Sequence, residues 1–138
     1  MHKLIPLPCV EVIITKPNSS EFLLTFRNDK WWHGWHIPGS YIRIGESIQE
    51  ACNRVAKNEV KINGVTGIQL IAIKKWQGSP YGGNPISTVI VCYPIGEVQE
   101  SESVRFFSSI PTPIIKNHAE FLAEFIKFLE QRNAAILT

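Results

Sequence analysis

What this chain of 138 residues has little of sets its first bounds. It carries three cysteines, Cys9, Cys52 and Cys92, an odd number with no pair at metal-knuckle spacing. That argues against a disulfide framework and for reduced, structural thiols in a cytoplasmic protein. Long apolar runs are missing, and no segment approaches the ~20 residues of a membrane span. Pro6, Pro8 and Glu11 interrupt the short apolar stretch near the start, so it does not read as a signal peptide. An excess of one charge is missing as well. A net charge of +2 gives no basic footprint for nucleic acid, so neither a nucleic acid nor a membrane is the expected partner. Repeats and linker-like stretches are absent, which leaves one domain over 1–138 as the expectation. The composition, 44% hydrophobic and 19% charged, is enough to bury one core.

The pattern along the chain alternates strands with two helices. Cys9–Thr15 reads as a buried strand, Lys16–Ser20 as a turn, and Glu21–Arg27 as a second strand. After a loop over Asn28–Gly34, short strands run through Ile37 and through Tyr41–Ile44. Gly67–Trp76 and Ile86–Tyr93 are β-rich runs joined by a loop over Gln77–Pro85, and Arg105–Ser108 forms a further strand. A helix is predicted from Asn117, an N-cap with Glu120 three residues later, to about Arg132. Its apolar stripe is Phe121, Leu122, Phe125, Ile126 and Leu129. The pattern gives an α+β fold.

The other helix, predicted over 46–59, carries the polar residues of interest. Ile48, Ala51, Cys52 and Val55 recur at three- and four-residue steps, the mark of an amphipathic helix. Glu46, Glu50 and Arg54 cluster on the opposite side, and Glu50 precedes Arg54 by four, the favoured order for a helical ion pair. Glu59 falls instead on the apolar side. A carboxylate there is costly to desolvate unless it meets a cation or hydrogen-bond donors.

Pro38-Gly39, Gly45-Glu46, Arg54 and Glu59 stand in an order and spacing that resembles the Nudix box, with Arg54 following Glu46 after seven residues. Leu23-Leu24-Thr25-Phe26-Arg27 and Gly34-Trp35-His36-Ile37-Pro38-Gly39 extend the likeness upstream. The resemblance implies an α/β/α sandwich around a mixed sheet. It further implies hydrolysis of nucleoside diphosphate derivatives with magnesium, for which manganese can substitute, and homodimers occur in the family. The box is incomplete: Val55 and Asn58 stand where two metal-binding glutamates usually sit, and Ser40, Arg43 and Lys61 are further departures. A retained Arg54 with a single glutamate, Glu59, is similar to the GDP-mannose mannosyl hydrolase branch, which cleaves a glycosyl bond. Aligning on Arg105-Phe106 puts Glu100 at that branch's glutamine ligand and Ser101 at its catalytic histidine. Serine is no general base at neutral pH, so that mechanism does not carry over whole.

The resemblance thus implies Gly39 and Glu59 as metal ligands with Glu100 as a third. Glu46 and Arg54 complete the catalytic set, with Glu46 acting through water or by orienting Arg54. Glu102 is a second candidate for the missing carboxylate, and an acidic surface loop is the plain alternative for both. Arg27, at a strand end, has the guanidinium fork that holds a diphosphate bidentately. Trp31 or Trp32 offers a flat face to a nucleobase, whereas Trp35 is expected in the core. His33 and His36 lack the further partners a zinc site needs. Two other readings stay open, a catalytically decayed domain that binds nucleotides or a protein, and a purely structural α+β module.

Overall fold

The computed structural model describes residues 8–75 and 86–137, with side chains through Gln131. Among the described residues, seven strands and two α-helices follow one another as β1 (Pro8–Ile14), β2 (Phe22–Asn28), β3 (His33–His36), β4 (Gly39–Tyr41), α1 (Ile48–Val55), β5 (Val65–Lys75), β6 (Ile86–Pro94), β7 (Val104–Phe107) and α2 (Lys116–Leu137). A four-stranded sheet has the order β4-β1-β6-β5, and a three-stranded sheet the order β3-β2-β7. The larger sheet is mixed, because β1 runs parallel to β6 and antiparallel to β4. The α+β class with a mixed sheet is as the sequence implied.

β1 shows why the fold has two cores. Successive side chains of a strand point to opposite faces. Val10, Val12 and Ile14 therefore join Ala51, Cys52 and Val55 of α1 in one cluster. Ile13, on the other face, joins Phe22, Leu24, Trp35 and Ile37 with Phe121, Leu122, Phe125 and Leu129 of α2. Trp35 and Cys52 are buried, as the patterning required. All three cysteines are buried thiols, and burial raises each above its ordinary pKa. Among the described residues, no helix is long and apolar enough to cross a membrane.

Several boundaries differ from the sequence reading, each for a local reason. The box helix starts at Ile48 instead of Glu46, because Ser47 caps it: its hydroxyl accepts from the Glu50 N–H, and the Glu50 carboxylate accepts from the Ser47 N–H. Glu50 is thereby taken, and the expected Glu50–Arg54 pair gives way to one between Arg54 and Glu46. The helix does not reach Glu59 in α form. It passes into a π-helical turn over Ala56–Val60, closed by Lys61 in the left-handed conformation at φ 66°. The strand foreseen at Tyr41–Ile44 is shorter and earlier, since a turn at Arg43–Glu46 follows it, with Gly45 at φ 81°. His33 and Gly34, read as loop, pair with β2. α2 starts at Lys116, so Asn117 lies inside its first turn and is not the cap; Ile115 takes the first intrahelical bond, from Ala119 N–H. It also runs on to Leu137. Trp76, the loop over 77–85 and the N-terminal residues 1–7 lie outside the described residues.

Two histidines lock the junction between β3, β4 and α2. The His36 Nδ1 donates to the Ile37 carbonyl at 2.8 Å, so its Nε2 is left to accept from the Thr25 hydroxyl at 3.0 Å. The His118 Nδ1 accepts from the Ile37 N–H at 3.0 Å. Burial, reinforced for His36 by the Arg27 charge, pulls His36 down to about 4 and His118 down to about 3. Both are therefore neutral in the folded chain while the unfolded chain protonates them near pH 6.5. Their contribution to stability is complete above that pH and is lost as pH falls towards 4 and 3. The melting temperature is expected to drop steadily below pH 6.5, and less steeply in His118→Asn, whose amide oxygen can still accept from Ile37. A flat profile from pH 7 to 4.5 would contradict this account.

Candidate functional site

The polar residues gather where β4 leaves the edge of the larger sheet and meets the end of the box helix. Val12 N–H bonds the Pro38 carbonyl at 2.8 Å and Ile42 N–H bonds the Pro8 carbonyl at 3.0 Å. With Val10 opposite Ser40 and Glu11 opposite Gly39, the bonded positions on β1 are the even-numbered ones. Gly39 thus occupies a non-hydrogen-bonded position, where N–H and C=O both point away from the partner strand. Since β4 is an edge strand, these groups face off the sheet. The Gly39 N–H donates to Glu59 Oε2 at 3.1 Å, and its carbonyl leaves the strand on the same side.

Glu59 is held there by the π-helical turn. Its flanking residues Ala56 and Val60 are buried, and its own side chain is 19% exposed. The Arg27 guanidinium, from the end of β2, donates to Glu59 Oε1 at 3.0 Å. His36 Nε2 lies 3.8 Å from the same oxygen. The carboxylate on the apolar side of the helix has therefore found both a cation and a backbone donor. Burial still raises its pKa, with Arg27 and the Gly39 N–H acting against that rise.

Arg54 serves the architecture around this point. Its Nε donates to Glu46 Oε2 at 2.8 Å and its Nη2 to Glu46 Oε1 at 2.9 Å, a bidentate pair. The same guanidinium reaches the Ser40 hydroxyl at 3.1 Å and the Tyr41 carbonyl at 2.7 Å. It ties the helix to the strand and loop that precede it, and holds the Glu46 carboxyl down to about 2. On the outer side of the helix, Glu46, Glu50, Asn53, Arg54, Lys57 and Asn58 line an open cleft of about 400 Å³.

Other residues singled out by the sequence lie apart from this cluster. Glu100 Oε1 accepts from the Phe106 N–H at 2.9 Å on an exposed loop, and no contact among the described residues joins it to Glu59 or Gly39. Glu102 and Ser101 are exposed on the same loop. Trp32 gives its indole N–H to the Trp35 carbonyl at 3.2 Å, while Trp31 is 57% exposed. Val55 and Asn58, where carboxylates were missed, are respectively buried in the core and exposed.

One residue of the cluster escaped the sequence reading. Glu11, in the middle of β1, is opposite Gly39 in the ladder and accepts from the buried Ser87 hydroxyl at 3.1 Å. Burial pushes its carboxyl up to about 8; the nearby Glu59 charge raises it further, against Ser87 and Arg27. The available signal was a lone carboxylate inside the apolar run Val10-Glu11-Val12-Ile13-Ile14.

Among the described residues, no three His, Cys, Asp or Glu side chains are grouped to hold a metal ion. The site instead offers carboxylate oxygens beside an outward-facing backbone carbonyl. These are the hard oxygen donors that magnesium takes, with water and substrate phosphates completing its shell. The donor chemistry fits such a cation.

Comparison with known proteins agrees with this architecture. Solved structures share the fold at low identity. A MutT Nudix hydrolase from Burkholderia pseudomallei superposes with a TM-score of 0.72 at 18% identity, over 86% of this chain and 97% of that one. A Nudix-family hydrolase from Clostridium perfringens gives 0.62 at 20% identity, over 91% and 99%. An ADP-ribose pyrophosphatase from Streptococcus suis gives 0.60 at 21% identity, over 89% and 91%. No curated protein matches the sequence. The Nudix domain model matches residues 6–125, most of the chain, and the protein belongs to the Nudix family.

Proposed function

We propose that the protein is a magnesium-dependent hydrolase of a nucleoside diphosphate derivative, with nucleotide sugars of the GDP-mannose kind as first candidates. The observation that carries this reading is the Glu59 carboxylate, mostly buried yet set against the Gly39 backbone and Arg27 at the sheet edge. In this reading Glu59 and the Gly39 carbonyl hold the metal. A bound magnesium would neutralise diphosphate charge and, in a pyrophosphatase route, sharpen a water nucleophile. Arg27 would turn its fork from Glu59 to a diphosphate oxygen pair, trading one anionic partner for another. Arg54 and Glu46 fix the helix against β4, so that Glu59 meets Gly39 at one distance and not several. Glu100 would join the site only by releasing the Phe106 N–H. Trp31 or Trp32 supplies a face for the base, Trp31 being the more open of the two. A cytoplasmic setting and a homodimer complete the proposal.

A second reading, a non-catalytic nucleotide-binding domain, is favoured by Val55 and Asn58 at two positions where the family carries carboxylates. Turnover of a nucleoside diphosphate panel with magnesium separates the two. Free sugar would place the chemistry at the glycosyl bond, and nucleoside monophosphate would place it at the pyrophosphate. Silence across the panel, with retained nucleotide binding, would favour the second reading.

A further inference from the structure

We propose that Glu11 supplies a second carboxylate to the cation site, delivered from the central strand β1 and not from the box helix. This rests on the metal role assigned above to Glu59 and Gly39. The first support is geometric. Glu11 and Gly39 are direct partners in the β1–β4 ladder at a non-hydrogen-bonded position, where side chains of facing residues come closest. A β-carbon on Gly39 would collide with Glu11 Oε2 and lie 2.7 Å from the Val10 carbonyl. The glycine leaves the space through which the Glu11 carboxylate lies over the Gly39 backbone. On that backbone the Gly39 N–H holds Glu59, so the two carboxylates converge on one residue from different elements.

The second support is orientation. Ser87, fully buried on β6, donates to Glu11 Oε1 and thereby aims the other oxygen at Gly39. Hydrogen-bonded support of this kind is what a ligating carboxylate ordinarily has. Glu11 thus restores part of the negative charge that Val55 and Asn58 remove from the helix.

The test is Mn²⁺ binding to the full chain, followed by calorimetry and by electron paramagnetic resonance, in the wild type, Glu11→Gln, Glu11→Asp and Glu59→Gln. Glu11→Gln is expected to weaken Mn²⁺ by roughly 10–100-fold, on the scale of lost support at metal sites. Glu11→Asp, which keeps the charge on a shorter arm, should fall between it and the wild type and serves if the glutamine variant does not fold. Equal affinity in the wild type and both Glu11 variants, with Glu59→Gln impaired, would overturn this inference and leave the Glu59 site intact. No Mn²⁺ binding by the wild type would overturn both. Binding that depends on Glu11 in a chain inactive on every nucleotide would uphold this inference while the hydrolase reading fell.

Discussion

Glu59→Gln is expected to lower magnesium-dependent turnover on the order of 100-fold or more, with little change in fold. The substitution keeps the size of the side chain and one oxygen, so the Gly39 N–H can still donate to it. What disappears is the negative charge, and with it the ion pair to Arg27 and the attraction for a divalent cation. Loss of groups that merely support a metal ligand costs about 10–100-fold, and the ligand itself should cost at least as much. The variant separates two roles that the geometry overlays. If Glu59 only anchors Arg27, turnover should fall without any change in the magnesium concentration needed for half-maximal rate. If it holds the metal, that concentration should rise steeply. Unchanged turnover at all magnesium concentrations would remove Glu59 from the site.

Glu11→Gln should make the metal-free protein more stable at alkaline pH. The folded carboxyl is raised by burial to about 8, from an ordinary value near 4.5. Between those values the folded chain holds a proton that the unfolded chain has released. Stability from this group is therefore full below about pH 4.5 and is lost as pH rises through 8. At about 1.4 kcal/mol for each tenfold change in proton affinity, the loss is on the order of a few kcal/mol. Glutamine does not titrate and can still accept from Ser87. At pH 8.5 its melting temperature should exceed that of the wild type by roughly 5–10 °C. The difference between the proteins should shrink as pH falls towards 5, and comparing them cancels the opposing trend from His36 and His118. A constant difference at every pH would mean that glutamine changes packing and not ionisation. Magnesium should narrow the gap at pH 8.5 by giving the wild-type carboxylate a counter-charge.

The two helices and most strands were legible because their signals are local and periodic. The stripe Ala51, Cys52 and Val55 is buried where three- and four-residue spacing put it. The isolated position of Glu59 was equally legible, because a carboxylate on an apolar stripe calls for partners, and Arg27 and Gly39 are those partners. Helical spacing pointed to Glu50 as the partner of Arg54, whereas the structure pairs it with Glu46. Ser47 claims Glu50 for the helix cap, and the turn at Gly45 brings Glu46 back to Arg54, a contest that spacing alone does not settle. The π-helical turn left no mark in periodicity, since Ala56 and Val60 are as compatible with an α-helix. Glu11 went unnoticed because its partners come from across the fold, Gly39 on the neighbouring strand and Ser87 much further along the chain.

The parallel ladder between β1 and β6 also shapes how the chain must assemble. It joins Pro8 to Ile86 and continues to Ile14 and Cys92, so it closes a loop of nearly eighty residues. Closing such a loop costs chain entropy before any contact within it compensates, and topologies of this kind fold slowly. During synthesis, β1, the box helix and β5 emerge while the strand that lies between β1 and β5 is still unmade. Glu11 cannot meet Ser87 until that strand arrives. An intermediate lacking β6 would expose the apolar edges of both β1 and β5, and nascent chains stalled before Ile86 should be the species most prone to aggregate.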